Sequence, residues 1–322
     1  MQLYHRQQIE SVATFNPHSL SVIENAFSAL GRGEVTMPPV LSMAIHEHNG
    51  EVDVKTAHIK GAERFAIKVS PGFFDNPSIG LPSLNGLMVV FSASTGLVEA
   101  VLFDEGYLTD LRTALAGALS AKYCARDDAN IVTVLGAGTQ ARLQVSALKL
   151  VREIDTVHVW ARDNAQARQY KAEVEAELGV RVIPHQDVAQ ACQQADIIVT
   201  TTPAKQPILH WQDIPKGAHV TAMGSDSAEK RELDPHILHN ADWVLVDRRA
   251  QSEVLGELKG LALSRCVEEL GKTVASGRPI ARSDEAVTVC DLTGTGVQDT
   301  AIANYVVSAL HHTHGSGDAG AL

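Results

Sequence analysis

The amino-acid sequence predicts an α/β protein in which a β-rich N-terminal part precedes a doubly wound parallel sheet. Residues 40–103 contain short β-rich runs separated by Gly, Pro and Asn, a pattern typical of antiparallel strands. From about residue 120, apolar runs alternate with helical stretches, as in a parallel sheet covered on both faces. A third observation is the sequence IVTVLGAGTQAR, in which a strand-like run leads directly into two glycines and a helix.

The N-terminal elements follow from local patterns. Residues 11–33 predict one helix, because SVIENAFSAL has apolar residues at helical spacing and Gly31 and Gly33 can end it. Four strands are expected in VDVKTAHI, RFAIKVS, LMVVFSA and LVEAVLF, with ASTG as the hairpin turn between the last two. The Ala-rich stretch LTDLRTALAGALSAKYCA predicts a long helix, and Thr109 or Asp110 can cap its first turn.

Strand and helix patterns alternate in the remainder of the chain. The candidate strands are IVTVL, TVHVWA, VRVIP, DIIVTTT, HVTAMG and DWVLVD, and the helical stretches are QARLQVSALKLV, NAQARQYKAEVEAEL and DVAQACQQA. A last helix is expected near residues 299–311, and the tail HHTHGSGDAGAL has the composition of a frayed end. We therefore predict one domain over residues 1–119, to which about 300–322 return, and a second over residues 120–299.

Composition restricts the class of protein. The 322 residues suffice for two domains, and 45% hydrophobic residues are typical of a globular chain. The formal net charge of −11 disfavours nucleic-acid binding, which usually needs a basic face. No run reaches the ~18 unbroken apolar residues of a membrane helix. The N-terminus lacks the apolar core of a signal peptide. We expect a cytoplasmic protein with neither a nucleic-acid nor a membrane partner.

The cysteines and histidines predict no metal site. The chain has four widely separated cysteines: Cys124, Cys192, Cys266 and Cys290. They form no CxxC pair, so we expect buried free thiols. His46 and His48 have the spacing of metal ligands on a strand, but no third ligand is evident, and we interpret both as loop residues.

The two glycines before the helix predict a dinucleotide site. Gly136 lets the strand turn sharply, Gly138 lets a pyrophosphate approach the backbone, and Ala141 takes the third position of GxGxx(G/A). The helix begins near Thr139, so the N–H groups of its first turn, which includes Gln140, face the phosphates. Because the motif follows a strand and opens a helix, it indicates a Rossmann-type domain that binds NAD or NADP. The alternative is a tight turn without a ligand.

The end of the second parallel strand bears on the choice between NAD and NADP. An acidic residue there binds the ribose 2′-hydroxyl, whereas an arginine accommodates a 2′-phosphate. In VWARDNAQAR, Ala161 occupies the expected acidic position. Arg162 and Arg168 favour NADP, whereas Asp163 keeps NAD open. The alternative for Arg162 is a surface arginine without a ligand contact.

Later strand ends supply further candidate cofactor residues. Thr201 and Thr202 end the strand DIIVTTT and are expected near a ribose of the nucleotide, and Gly224 ends HVTAMG. Gly294 and Gly296 form a second glycine turn before a helix. This turn either closes over the nicotinamide or is a plain loop.

Four stretches together form a more specific signature: KVSPGFFDNPSIGLPSLNGLMVVF, GYLTDLRTALAGALSAKY, VLGAGTQAR and AMGSDSAEKREL. In this order they resemble the ornithine cyclodeaminase/μ-crystallin family over roughly residues 35–300. TMPPV, EVDVKTAHIKG, KVSPGFFDNP and PSLNGLM are most similar to the branch linked to ectoine use and iminosuccinate reduction. The resemblance implies a homodimer joined through its N-terminal sheets, which makes the N-terminal part a substrate-binding and dimerisation domain. It also implies a nicotinamide cofactor and an α-amino or α-imino acid substrate.

The resemblance implies active-site roles for Lys68, Arg112 and Asp226. A guanidinium such as Arg112 forks onto a carboxylate through two hydrogen bonds. As a mere surface residue it would be poorly placed, because the first turn of a helix prefers anions. Lys68 would hold the carboxylate or polarise the reacting group, and burial would lower its pKa enough for proton transfer. The alternative is that Lys68 faces solvent from a half-buried strand.

Asp226 follows a strand of the parallel sheet, and ligands bind outside the carboxyl ends of such strands. It would give a proton to an imine nitrogen, or take one from an amine in the reverse direction. The alternative is that Asp226 is the N-cap of a helix in SAEKREL.

These residues predict NAD(P)H-dependent reduction of an α-imino acid to an α-amino acid. By resemblance the leading substrate is iminosuccinate, which gives aspartate, and its second carboxylate needs another cation, for which Arg64 and Lys55 are candidates. One alternative is a cyclodeaminase of an ornithine-like amino acid that uses bound NAD⁺. Family members with that activity often have an arginine in the region matching TMPPVLSM, where this chain has none. Another alternative is a non-catalytic μ-crystallin-like NADP-binding protein.

Overall fold

A computed structural model describes residues 1–315, which form two compact units. The first unit comprises Met1–Arg112 and the residues from Thr295 onward, and the second comprises Thr113–Gly294. The described helices are α1 (Arg6–Val12), α2 (Pro17–Gly31), α3 (Tyr107–Cys124), α4 (Thr139–Leu148), α5 (Asn164–Leu178), α6 (Val188–Cys192), α7 (Pro235–Asn240), α8 (Arg249–Ser252), α9 (Leu270–Ser276) and α10 (Gly296–Gly315). The separate roles predicted for the two domains stay predictions.

The first unit contains a mixed sheet of seven strands, counted within residues 1–315. They are β1 (Gln2–His5), β2 (Val35–Thr36), β3 (Leu41–Ile45), β4 (Gly50–Ile59), β5 (Arg64–Phe73), β6 (Leu87–Ser92) and β7 (Val98–Phe103). Their order is β1-β7-β6-β5-β4-β2, and β3 pairs with β4. The four predicted strands are confirmed as β4 to β7, which are antiparallel, whereas β1 lies parallel to β7.

The predicted single helix over residues 11–33 is wrong, because two helices occupy this part of the chain. Asn16 is the N-cap of α2, and its side chain accepts a hydrogen bond from Ser19 N at 2.9 Å. Pro17 follows at the first helical position, where its missing N–H costs nothing. The start of α3 also differs from the prediction, since Asp104 accepts a hydrogen bond from Leu108 N at 2.8 Å, and the predicted caps Thr109 and Asp110 lie inside the helix.

The second unit is built on a parallel sheet of eight strands, and the whole of this unit is described. The strands are β8 (Ile131–Leu135), β9 (Thr156–Trp160), β10 (Arg181–His185), β11 (Ile197–Thr200), β12 (His219–Ala222), β13 (Trp243–Val246), β14 (Glu268–Glu269) and β15 (Thr288–Asp291). Their order is β10-β9-β8-β11-β12-β15-β13-β14. The six predicted strands and the α/β fold class are confirmed. The direction of winding reverses between β8 and β11, and a ligand crevice is expected beside such a reversal.

The structure also bears on the predictions for the C-terminal tail, the cysteines and membrane-spanning helices. Helix α10 runs to Gly315, so the expected frayed tail is helical over its first residues, and residues 316–322 lie outside the described part of the chain. Cys124, Cys192 and Cys290 are buried, but Cys266 is exposed, which corrects the expectation of four buried thiols. Of the helices within residues 1–315, none combines the length and hydropathy needed to cross a membrane.

Candidate functional site

The first unit buries a cluster of charged side chains. The register of β4 and β5 places Lys55 directly opposite Lys68, and their side chains are 6% and 2% exposed. Lys68 Nζ donates a hydrogen bond to Asp299 Oδ1 at 3.0 Å, and Arg112 Nε lies 3.1 Å from the same oxygen. Arg112 Nη1 also donates to Gln298 Oε1 at 3.2 Å. The structure therefore brings Lys68 and Arg112 together, and the solvent-facing alternatives for both are wrong.

Each member of this cluster is placed by a regular element. Alternation along β5 puts Lys68 on the same buried face as Ala66, and α10 packs against β4 and β5. Asp299 lies in the first turn of α10, and sequence reasoning missed it. The available signal was a single acid within the otherwise uncharged stretch GVQDTAIANYVVSAL.

Burial and neighbouring charges set the protonation of the cluster. Burial lowers the pKa of Lys68 to about 7, and the Arg112 and Lys55 charges lower it as well, whereas Asp299 raises it. Burial acts to raise the pKa of Asp299, but Lys68, Arg112 and Lys55 together hold it below its ordinary value. Lys68 can therefore gain or lose a proton near neutral pH while Asp299 stays ionised.

In the second unit, the glycine turn has the geometry that its sequence predicts. Gly136 has φ 122°, and a Cβ there would lie 2.5 Å from Thr201 Oγ1, so only glycine fits. Gly138 is exposed, and a Cβ at this position would have no neighbouring heavy atom within 4 Å. Helix α4 begins at Thr139, and Ala141 is fully buried. The N-terminus of α4 is thus open for a phosphate.

The other predicted cofactor residues of this part of the second unit are Gln140, on α4, and Arg162, just after β9. Gln140 Oε1 accepts a hydrogen bond from Gln144 Nε2 at 3.3 Å. Asp163 caps α5 by accepting a hydrogen bond from Ala165 N at 2.8 Å, and Arg162 is exposed. Asp163 Oδ1 thus serves as the N-cap of α5. The choice between NAD and NADP stays a prediction.

A buried acid, Glu232, joins the ends of β11 and β12. It accepts hydrogen bonds from Thr200 Oγ1 at 2.6 Å, Thr202 N at 2.5 Å, Thr202 Oγ1 at 2.8 Å and Gly224 N at 2.8 Å. Burial raises the pKa of Glu232 to about 7, and these donors favour its anion. Glu232 therefore fixes Thr202 and Gly224 at the edge where a nucleotide is expected, and sequence reasoning missed it. Thr201 Oγ1 donates to Leu135 O at 3.4 Å.

Asp226 lies on a loop after β12, so the alternative that it caps a helix in SAEKREL is wrong. Its side chain is 40% exposed, and Oδ1 accepts a hydrogen bond from Lys230 Nζ at 2.7 Å. Lys259 Nζ donates to Ser225 Oγ at 3.0 Å and to Ser227 O at 3.3 Å, one on each side of Asp226. The loop is thus anchored from beneath, while the carboxyl group keeps contact with solvent.

In the second glycine turn, Gly294 belongs to the second unit and Gly296 to the first, and each glycine has a close contact within its own unit. Gly294 has φ 77° and donates its N–H to Asp247 Oδ2 at 2.7 Å. Gly296 begins α10, and a Cβ there would lie 2.4 Å from Thr56 O on β4.

His46 and His48 lie in an exposed 3₁₀ turn. Over residues 1–315, no three His, Cys, Asp or Glu side chains are arranged to hold a metal ion.

Comparison with known proteins identifies the family. The ornithine cyclodeaminase/mu-crystallin family profile matches residues 2–314. The chain belongs to the ornithine cyclodeaminase/mu-crystallin family. Among relatives in this family, a putative dehydrogenase of Rhizobium meliloti is 46% identical over 309 residues, which cover 94% of each chain. The iminosuccinate reductase of Paracoccus denitrificans is 32% identical over 301 residues, 91% of this chain and 92% of that protein.

Solved structures of the ornithine cyclodeaminase/mu-crystallin fold agree over nearly the whole chain. The Thermococcus litoralis Δ1-pyrroline-2-carboxylate reductase, in complex with NADH and L-proline, matches with a TM-score of 0.90 and 25% identity. That match covers 97% of this chain and 98% of the reductase. An archaeal alanine dehydrogenase dimer with bound NAD matches with a TM-score of 0.89 and 29% identity, over 98% and 97% of the two chains.

Proposed function

We propose that this protein is an NAD(P)-dependent oxidoreductase that reduces the C=N bond of an α-imino acid to give an α-amino acid. The observation that carries the proposal is the buried cluster in the first unit in which Lys68 and Arg112 both contact the Asp299 carboxylate. Burial of two cations carries a large desolvation penalty, and the negative charge of a bound substrate carboxylate would offset part of it. Relatives that reduce iminosuccinate and pyrroline-2-carboxylate support this class of reaction.

The second unit supplies the groups for an NAD or NADP cofactor. Its pyrophosphate would lie against the backbone at Gly138 and the amides of Thr139 and Gln140, where the N-terminus of α4 favours an anion. When bound, the reduced nicotinamide supplies the hydride for the imine carbon. Complexes of related proteins with NADH and NAD support this assignment. Arg162 would lie near the adenosine ribose, as its position after β9 suggests.

The protein side chains bind the substrate acid and move the proton. Arg112 would bind the carboxylate through its planar guanidinium, and Lys68 would bind it as a point charge. Asp226 would donate a proton to the imine nitrogen as the carbon is reduced, and its contact with solvent lets it be reprotonated. In the reverse direction the same carboxylate would accept the proton from an amine.

The substrate class can be tested directly with purified protein. Oxoacids mixed with ammonia or methylamine form imines in solution, and each is offered with NADH or NADPH. We expect consumption of reduced nucleotide in step with formation of an α-amino acid. Conversion of ornithine without net change in the nucleotide would support a cyclodeaminase instead. Nucleotide binding without turnover of any compound would support a non-catalytic binding protein.

A second substrate carboxylate, as in iminosuccinate, would be recognised by Lys55. Arg64 is poorly suited, because its Nε lies 2.5 Å from Glu99 and its Nη1 lies near a second glutamate. Lys55 lies across the sheet from Lys68, on the same buried face, and is 3.7 Å from Asp53. The two lysines would therefore bind carboxylates at neighbouring positions. The similarity to an iminosuccinate reductase supports this finer assignment.

Replacement of Lys55 by methionine should act selectively on dicarboxylic substrates. We expect the Lys55→Met variant to raise KM for iminosuccinate by about 10- to 100-fold, because one charge-assisted contact is lost, and to change KM for a monocarboxylic imine by less than about threefold. The matched control is Arg64→Met, which removes a cation paired with Glu99. It should leave the ratio of the KM for iminosuccinate to the KM for the monocarboxylic imine unchanged. Equal effects of Lys55→Met on both substrates would contradict the assignment.

The first unit also supports a homodimer. Strand β3 is exposed on both faces, and its Leu41 and Met43 are 61% and 53% exposed. Ile79 and Leu81, at the end of the 3₁₀ turn Asn76–Ile79 and just after it, are exposed as well. Apolar side chains in such numbers favour association with a second copy. The dimeric alanine dehydrogenase structure supports the proposal, and a monomeric mass by light scattering would contradict it. A cytoplasmic location stays a prediction.

A further inference from the structure

We infer that Asp299 is a positioning residue that holds Lys68 and Arg112 together for the substrate carboxylate. The inference rests on the proposed function, because it concerns the same substrate-binding cations. It adds a residue that would act through its two partners, without itself touching the substrate. Asp299 has no exposed surface, which fits this indirect role.

The carboxylate of Asp299 is bound from one side only. Its Oδ1 lies 3.0 Å from Lys68 Nζ and 3.1 Å from Arg112 Nε, whereas its buried Oδ2 has no hydrogen-bond partner within residues 1–315. The Arg112 contact is close but not aligned as a hydrogen bond. Lys68 and Arg112 repel each other, and the shared anion between them offsets that repulsion. The contact thus joins the two cations and leaves their remaining N–H groups for a ligand.

A purely local role for Asp299 does not account for this arrangement. An acid in the first turn of a helix commonly serves the free backbone amides. In α10, however, Gln298 Oε1 accepts the hydrogen bond from Thr295 N at 2.9 Å. The Asp299 carboxylate instead contacts side chains of other elements, Lys68 on β5 and Arg112 on α3.

The other charged groups around Lys68 do not replace Asp299. Lys55 faces it across the sheet and adds a further positive charge. The second nearby acid is Asp104, whose Oδ2 accepts a hydrogen bond from Leu108 N at 2.8 Å at the start of α3. Asp53 lies 3.7 Å from Lys55. Asp299 is the acid that directly contacts both proposed carboxylate ligands.

Loss of the Asp299 charge should make Lys68 lose its proton more readily. Burial lowers the pKa of Lys68 to about 7, and Asp299 opposes that shift. Lys68 binds a carboxylate best while protonated, so KM should rise as the pH increases through this pKa. Without the anion the pKa falls further, and the rise in KM should begin at a lower pH.

The test compares Asp299→Asn, which has nearly the same shape but no charge, with Asp299→Glu, which keeps the charge. We expect Asp299→Asn to lower kcat/KM for the imino acid by about 10- to 100-fold at neutral pH, mainly through KM. The rise in KM should shift to lower pH in Asp299→Asn and stay near its original pH in Asp299→Glu. In both variants, NADH affinity should be unchanged, which shows that the protein is folded.

A further variant separates positioning from general disturbance. Arginine stays protonated at all relevant pH values, so Lys68→Arg combined with Asp299→Asn should abolish the pH dependence of KM. A KM profile that keeps its pH position in Asp299→Asn would overturn the inference, even if KM were uniformly raised. If Asp299→Asn cannot be purified, a shifted profile in Asp299→Glu would overturn it.

Binding without turnover distinguishes this inference from the proposed function. Calorimetric titration of the protein–NADH complex with succinate measures carboxylate binding over the same pH range. If no imino acid is reduced but succinate binding shows the Asp299-dependent pH shift, the proposed function fails and the inference stands. If imino acids are reduced but neither succinate binding nor KM shows the shift, the inference fails alone.

Discussion

The Gly138→Val variant should lose at least about 100-fold in affinity for NADH and NADPH, because two or more charge-assisted hydrogen bonds to phosphate would be blocked. The valine side chain would enter space that is open in the structure, since a Cβ at Gly138 has no neighbour within 4 Å. Its φ of −82° suits any residue. The free energy of unfolding should therefore fall by only about 1 kcal/mol, the cost of a poor N-cap. Calorimetry and thermal unfolding measure both quantities.

Gly136→Val is the matched control for this prediction. Here φ is 122°, and a Cβ would lie 2.5 Å from Thr201 Oγ1, so the substitution strains the backbone and forces a neighbour to move. We expect a loss of about 2–4 kcal/mol in the free energy of unfolding. We thus expect Gly138 to be required for ligand binding and Gly136 to be required for stability of the fold. Wild-type NADH affinity in Gly138→Val would exclude the N-terminus of α4 as the phosphate site.

The Asp226→Asn variant should lower kcat by about 10²- to 10⁴-fold, the usual contribution of a general acid. An amide keeps the shape of the side chain but cannot donate an acidic proton to the imine nitrogen. KM for the imino acid should change little, because Lys68 and Arg112 are proposed to hold the carboxylate. Stability should also change little, since the contact of Asp226 with Lys230 is partly exposed.

Lys230→Met provides the control for Asp226. It removes the ion pair at 2.7 Å and leaves the carboxyl group in place. We expect its kcat to stay within about tenfold of the wild-type value, because only the orientation of the acid is perturbed. If Asp226→Asn and Lys230→Met had equally small effects, Asp226 would serve only to tie its loop to Lys230.

Local sequence patterns were sufficient for the glycine turn and for most strands. In residues 131–142 the strand, the turn and the helix are neighbours in the chain, so their spacing alone predicts their geometry. The same holds for β4 to β7, where alternation and turn residues mark each strand. The break before α2 was also visible in the sequence, since Asn followed by Pro is a recognised start signal for a helix.

Contacts between distant parts of the chain could not be predicted in this way. Lys68 and Asp299 are 231 positions apart and meet only because α10 packs on β5. Glu232 acquires its role because β11 and β12 are neighbours in the sheet. Strand β15 was missed because TVCDLTG contains polar residues, one of which, Asp291, is buried with its Oδ2 accepting a hydrogen bond from Glu257 N at 2.9 Å.

The burial of Lys68, Arg112 and Asp299 also limits how this protein can be made more heat-resistant. Removing Asp299 leaves Lys68 and Arg112 without their shared counter-charge in a poorly hydrated interior, which is strongly destabilising. Replacing all three with apolar residues of similar size could raise the melting temperature, but at the expense of activity. Engineering for thermal tolerance is therefore better directed at exposed positions such as Val254, which is 61% exposed.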